Sequence, residues 1–215
     1  MRKLSYVVAF FAVLGTMSLS ILSVQRPDWL VVRSSDIIHK DVIVTYGLST
    51  RCELRVLELP SPNGGTLTYT NYECRPFPMR VQDGCEKENK TFCMIWSTSR
   101  YFGELGFGFA IVACLAILFG VTTHSRRRRI WKSVSVLVAF HVLSQIVTFG
   151  VVTELYRRNL FPTFERARPG FAYVLNIVSW VLGLFVTIGI IITGNAAKAG
   201  HPWAAGNRAY RPISG

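Results

Sequence analysis

The sequence predicts an all-α membrane fold. It is read as a left-handed bundle of four transmembrane helices with a disulfide-stapled β-hairpin or sheet in a large first extracellular loop. Three observations predict it. Four apolar blocks are each long enough to cross a bilayer. Basic residues gather at the two ends and between the second and third blocks. Four of the five cysteines lie in one polar loop, between positions 52 and 93.

The chain has 215 residues, 50% of them hydrophobic, and its mean hydropathy is +0.33. A hydrocarbon core of roughly 30 Å needs about 20 apolar residues per helix. Segments 4–24, 102–123, 134–155 and 171–193 meet that length. In lipid they must be helical, because no other single segment satisfies its own backbone. Buried helices of a soluble protein are the alternative, but these runs leave no polar face for water. The first block reads as a retained helix. A cleaved signal peptide ending near Ser18-Leu19-Ser20 is its alternative, although the apolar run continues to Val24 and is long for one.

The net charge is +12, and its placement orients the helices. Arg2 and Lys3 precede the first span. Arg126, Arg127, Arg128, Arg129 and Lys132 fill the link before the third, and Lys198, Arg208 and Arg211 follow the fourth. Acidic residues are absent from all three regions. Segment 25–101 carries ten basic and nine acidic residues and is nearly neutral. The positive-inside bias therefore places segments 1–3, 124–133 and 194–215 in the cytoplasm, and loops 25–101 and 156–170 outside or in a lumen. Arg157, Arg158, Arg166 and Arg168 in the second outer loop run locally against that bias. The run Arg126–Arg129 with Lys132 is expected to contact anionic lipid headgroups rather than nucleic acid.

The outer loop is expected to be oxidised and folded. Cys52, Cys74, Cys85 and Cys93 make an even set, while Cys114 lies in the second span. Zinc binding is the competing reading, and the spacings lack a CxxC knuckle. Asn89-Lys90-Thr91 is a glycosylation sequon in the same loop. Alternating β-rich runs cover 42–46, 52–59 and 66–72, and Pro60-Ser61-Pro62-Asn63-Gly64-Gly65 separates the last two as a turn. A hairpin folded about Asn63 sets opposite each other positions whose numbers sum to 126. Cys52 then faces Cys74, which leaves Cys85 to pair with Cys93.

The spans carry few polar groups. Gly106/Ala110 and Ala116/Gly120 are small-xxx-small steps on span two, expected to pack within the bundle; homodimerisation is the alternative. Cys114 reads as an apolar filler, with palmitoylation as the alternative. Glu104 lies at the outer end of span two, where it is expected to reach the interface or accept a hydrogen bond from the second loop. His141 and Gln145 lie one turn apart on span three, and Asn176 and Trp180 one turn apart on span four. An intramembrane ionisable group raises an ion or proton pathway by default. A neutral histidine bonded across helices is the plainer reading of His141. HExxH, GxSxG and phosphate-loop motifs are missing, so the chain reads as a non-enzyme with no cofactor and no metal.

Trp29 stands just after span one. Gly47-Leu48-Ser49-Thr50-Arg51-Cys52 follows it, with Cys74 downstream and Arg100 just before span two. These residues resemble the loop signature of the claudin-like tetraspan superfamily, a Trp followed by Gly-Leu-Trp-x-x-Cys and a second Cys. Ser49 stands where that signature has its second Trp, and Cys74 lies further on than in claudins. The chain resembles the divergent members, which include peripheral myelin proteins, fungal cortical-patch and PalI-type tetraspans and calcium-channel gamma subunits. The resemblance implies a non-enzymatic protein that organises membrane domains or mediates adhesion through its outer β-loop. Its partners would be lipids and other membrane proteins, itself included. The alternative implied is an auxiliary subunit of a channel, transporter or sensor. The tail shows no retrieval motif, so the plasma membrane is expected, with the endomembrane system as alternative.

Overall fold

A computed structural model describes residues 3–34, 41–60, 66–122 and 124–205. Four helices are long and apolar enough to cross a membrane: α1 (Lys3–Gln25), α2 (Lys90–Thr122), α3 (His124–Arg157) and α4 (Phe171–Lys198). A short α5 (Pro202–Ala205) follows. Strands β1 (Leu30–Ser34), β2 (Asp41–Tyr46), β3 (Thr50–Pro60), β4 (Thr66–Pro76) and β5 (Ala167–Pro169) form one sheet, ordered β4-β3-β2-β1-β5. Every pairing in it is antiparallel.

Over a long central stretch each of the four long helices is apolar at almost every position, and a helix apolar all round belongs in an apolar surrounding. The α1 helix stops at Gln25 because Pro27 disfavours a helical Arg26. The Arg26 N–H makes the last bond of the helix, to the Leu22 carbonyl at 3.1 Å.

Three expected boundaries are corrected. Helix α2 begins at Lys90, so the end of segment 25–101 is helix rather than loop and the span expected from 102 starts earlier. Its first turns are too polar to read as a span, yet Phe92, Trp96 and Ser99 recur at helical spacing and are buried. Segment 124–133, expected as a link, is the start of α3. Arginine and lysine are good helix formers, so a basic run need not break a helix. Segment 156–170, expected as a loop, supplies β5. Three residues ending in proline are too few to show a two-residue period.

Some expectations fall outside the described residues. These are the turn at 61–65, the side chains of Arg126, Arg127, Arg128 and Arg129, and the tail from 206.

Contacts divide the chain into two compact units. One comprises the described parts of Met1–Ser20, Leu105–Gln145 and Val178–Gly215. Its core includes Tyr6, Val13, Ala110, Ala113, Ile117, Trp131 and Val138. Gly106, Ala110, Ala113 and Gly120 are buried along one face of α2, whereas Ala116 is only half-buried. A Cβ at Gly106 would stand 2.5 Å from Gln145 Nε2, and one at Gly120 2.7 Å from Tyr6 Cε1. Three of the four expected small residues thus serve close contacts inside this unit. Ser20 and Ser179 meet at 2.7 Å, and the Ser179 hydroxyl donates to the Thr16 carbonyl at 2.9 Å, joining α1 to α4.

The other unit comprises Ile21–Glu104 and Ile146–Ile177 in their described parts. One face of the sheet turns Leu30, Val32, Tyr46 and Ala167 into its core, the alternation expected of a sheet packed on one side. Six rings, Tyr46, Phe77, Phe92, Trp96, Phe161 and Phe164, meet there at centroid distances of 4.7–6.1 Å. Such pairs add about 0.5–1.5 kcal/mol each beyond the area they bury. The β3–β4 register sums to 126 throughout, from Thr50↔Pro76 to Pro60↔Thr66. Disulfides join Cys52 to Cys74 and Cys85 to Cys93.

Candidate functional site

Of the residues that carry the resemblance, Trp29, Gly47, Leu48 and Cys52 are buried in the second unit. The Trp29 indole N–H donates to the Ser23 carbonyl at 2.7 Å and satisfies an end of α1. Its backbone N–H donates to the Tyr46 carbonyl at 3.0 Å, and its carbonyl accepts the Gly170 N–H at 2.8 Å. The ring lies edge-on to Tyr173 at 6.1 Å. One fully buried residue therefore ties α1 to β2 and to the start of α4.

Gly47 opens the turn between β2 and β3, closed by its N–H on the Thr50 carbonyl at 2.8 Å. A Cβ there would meet Pro27 Cα at 2.6 Å and the Arg26 carbonyl oxygen at 2.8 Å. Both obstacles are backbone, so the turn must move rather than a side chain. Gly47→Ala is expected to destabilise the fold by about 1–3 kcal/mol. The detergent-solubilised protein should show this as a lower SDS unfolding midpoint; an unchanged midpoint would mean that the turn can retreat freely.

Leu48 is fully buried. Ser49, which stands where the resembled signature has tryptophan, is half-buried. Its carbonyl accepts the Phe77 N–H at 3.0 Å, and Phe77 delivers a buried ring to the aromatic core.

Beside the Cys52–Cys74 pair, Arg51 and Arg75 are cross-strand neighbours. Like charges in that position repel. Asp83 resolves the conflict. Its side chain is 1% exposed and takes Arg75 through two bonds of 2.8 and 2.5 Å. It also accepts the Met79 N–H at 2.7 Å and lies 4.0 Å from Arg51. Burial by itself would raise the Asp83 carboxyl, but the Arg75 guanidinium, the Met79 N–H and Arg51 outweigh it and hold it below the usual carboxylate range. The Arg51 guanidinium lies 5.2 Å from the Tyr46 ring centroid, a cation–π contact. Asp83 carried no motif in the sequence, and neither did Gly170, where a Cβ would stand 2.0 Å from the Asp28 carbonyl oxygen.

The remaining predicted residues are dispersed. Asn89 is half-buried just before α2, and its Nδ2, the atom a glycan would take, donates to the Asp83 carbonyl at 2.9 Å. One of its two N–H groups is thereby committed. Arg100 donates to Glu104 at 2.7 Å along the surface of α2, so Glu104 bonds within its own helix and not to the second loop. Lys132 is exposed on α3. His141 is bonded across helices, Nδ1 lying 2.9 Å from the Gly106 carbonyl oxygen. A carbonyl only accepts, so Nδ1 carries the proton.

The β3–β4 hairpin presents its outer strand as the sheet edge. Tyr69 and Tyr72 on that strand are 63% and 61% exposed. Cys52 and Cys74 are 4.0 Å apart at Cα, the close spacing of a pair that exchanges no backbone bonds. The N–H and C=O groups of Cys74, and by alternation of Tyr72, Thr70 and Thr68, therefore point away from β3. Such an edge is a template for another strand. Among the described residues, no group of three or more His, Cys, Asp or Glu is placed to hold a metal ion. Compared with known proteins, the chain matches no family model and no curated protein.

Proposed function

We propose that this chain is a divergent claudin-like tetraspan whose four helices form a left-handed bundle and which acts by contact rather than catalysis. It organises membrane domains or mediates adhesion by presenting the outer β-loop to other membrane proteins or to further copies of itself. The plasma membrane is its proposed location, with Asn89 as glycan acceptor and with Arg126–Arg129 and Lys132 against lipid headgroups.

The observation that carries this reading is the β3–β4 hairpin. A disulfide locks its register, its edge strand has outward-pointing backbone groups, and two tyrosines of that strand are exposed. Tyrosine is enriched at protein interfaces, and an unpaired edge offers directional bonds. The burial of Trp29, Leu48 and Cys52 beside Gly47 supports the superfamily reading, because the signature residues then act as one structural knot.

Thr70→Pro tests it, since it removes an outward N–H without taking a bond from the β3 ladder. The wild-type chain in native membranes should crosslink to neighbours and diffuse slowly. The variant, with both disulfides formed, should lose crosslinks and diffuse faster. A wild-type chain that diffuses as a free monomer with no crosslinked neighbour sinks the proposal.

A further inference from the structure

A cleft of about 780 Å³ opens beside the short edge of the sheet, lined by Val31, Arg33, Tyr156, Glu165, Arg166 and Arg168 among others. The ladder sets Arg168 opposite Val31, two residues from Arg33 on the same face. One step beyond the end of the ladder, the same register brings Arg166 across from Arg33. Three guanidiniums thus share one side of a small surface. All three are exposed, and none belongs to an ion pair among the described residues. Among the described residues, Glu165 is the one acidic group lining the cleft. Like charges on adjacent strand positions repel, as at Arg51 and Arg75, but here no buried carboxylate among the described residues stands between them.

We infer that this cleft binds the phosphate of an anionic phospholipid headgroup. Planar guanidiniums match phosphate oxygens in paired, charge-assisted bonds. The level is right for a lipid. Tyr156 is the penultimate residue of α3, and β5 ends at Pro169, two residues before α4 begins at Phe171. The cleft therefore lies where two apolar helices end, which is where headgroups begin. Val31 and the Tyr156 ring give the wall an apolar part suited to the glycerol and upper acyl carbons, which a free phosphate would not need. This site is separate from the basic run at the start of α3.

The test uses the purified full chain in a neutral detergent, titrated with dihexanoyl phosphatidic acid, dihexanoyl phosphatidylcholine or inorganic phosphate alone and read by native mass spectrometry. Phosphatidic acid is expected to bind at least about tenfold tighter than phosphatidylcholine, roughly what one charge-assisted contact supplies. Combined Arg33→Ala, Arg166→Ala and Arg168→Ala should abolish that preference with both disulfides and the SDS midpoint intact. Arg55→Ala, which removes an exposed arginine paired with Glu53, should leave it unchanged. Glu165→Gln should tighten the binding. Inorganic phosphate bound as tightly as the lipid overturns the lipid assignment, and a triple variant that binds like wild type overturns the site.

Discussion

Replacing Trp29 by alanine is expected to lower the unfolding free energy by about 3–5 kcal/mol, the range for truncating a large buried aromatic. Trp29 is fully buried, so the whole ring volume becomes a cavity. A second cost adds to it. The Ser23 carbonyl at the end of α1 loses the indole N–H that satisfies it at 2.7 Å. Trp29→Phe separates the two terms: it keeps most of the packing and leaves the carbonyl unpaired, for about 1–3 kcal/mol. The check is an SDS titration of the full chain in mild detergent, followed by tryptophan fluorescence and non-reducing gels. The order wild type, Trp29→Phe, Trp29→Ala should appear in the midpoints. Equal midpoints for alanine and wild type would show that the indole is not the tie among α1, β2 and α4.

Asp83→Ala is expected to cost about 3 kcal/mol, the low end of the range for breaking a buried ion pair. The lower figure applies because Arg75 is 27% exposed and can recover part of its hydration. What remains is a repulsive pair, Arg51 and Arg75, on neighbouring strand positions. Adding Arg75→Ala to Asp83→Ala removes that repulsion and should recover part of the loss. The same carboxylate predicts a pH response. Its folded pKa is depressed, so its contribution is complete above the unfolded value of about 3.9 and is lost as pH falls through the folded value. Wild type should therefore lose stability below about pH 4, and Asp83→Asn should lose less over that interval. Thermal unfolding of the two proteins at pH 7 and pH 3 decides it; parallel losses would place the acid sensitivity elsewhere.

By comparison, Arg100→Ala should cost under about 0.5 kcal/mol. Its bond to Glu104 is an exposed pair one helical turn apart, and such pairs contribute little. Of the signature positions, Trp29 and Gly47 are thus expected to matter structurally and Arg100 hardly at all.

The legible part of the fold is the part governed by local periodicity. Lipid demands long apolar runs, so the four spans stood out. Strand alternation and one strong turn set the register of β3 on β4, and that register alone paired Cys52 with Cys74. The first turns of α2 were missed because they bury Phe92 and Trp96 against protein and carry no continuous apolar run. β5 was missed because only its partner β1 makes three residues a strand. Asp83 carries no motif, because its role exists only once β3 and β4 set Arg51 and Arg75 side by side.

The sequence by itself determined that four runs are long and apolar enough to cross a membrane, the charge asymmetry and the pairing of the cysteines, because each follows from composition or from spacing within a short stretch. Only the tertiary structure decided what Trp29, Gly47 and Asp83 do. A tryptophan capping a carbonyl six residues back while holding a strand, a glycine with backbone against its α-carbon and an acid between two arginines are all consequences of close approach. Close approach depends on how distant segments pack, and no pattern along the chain encodes it.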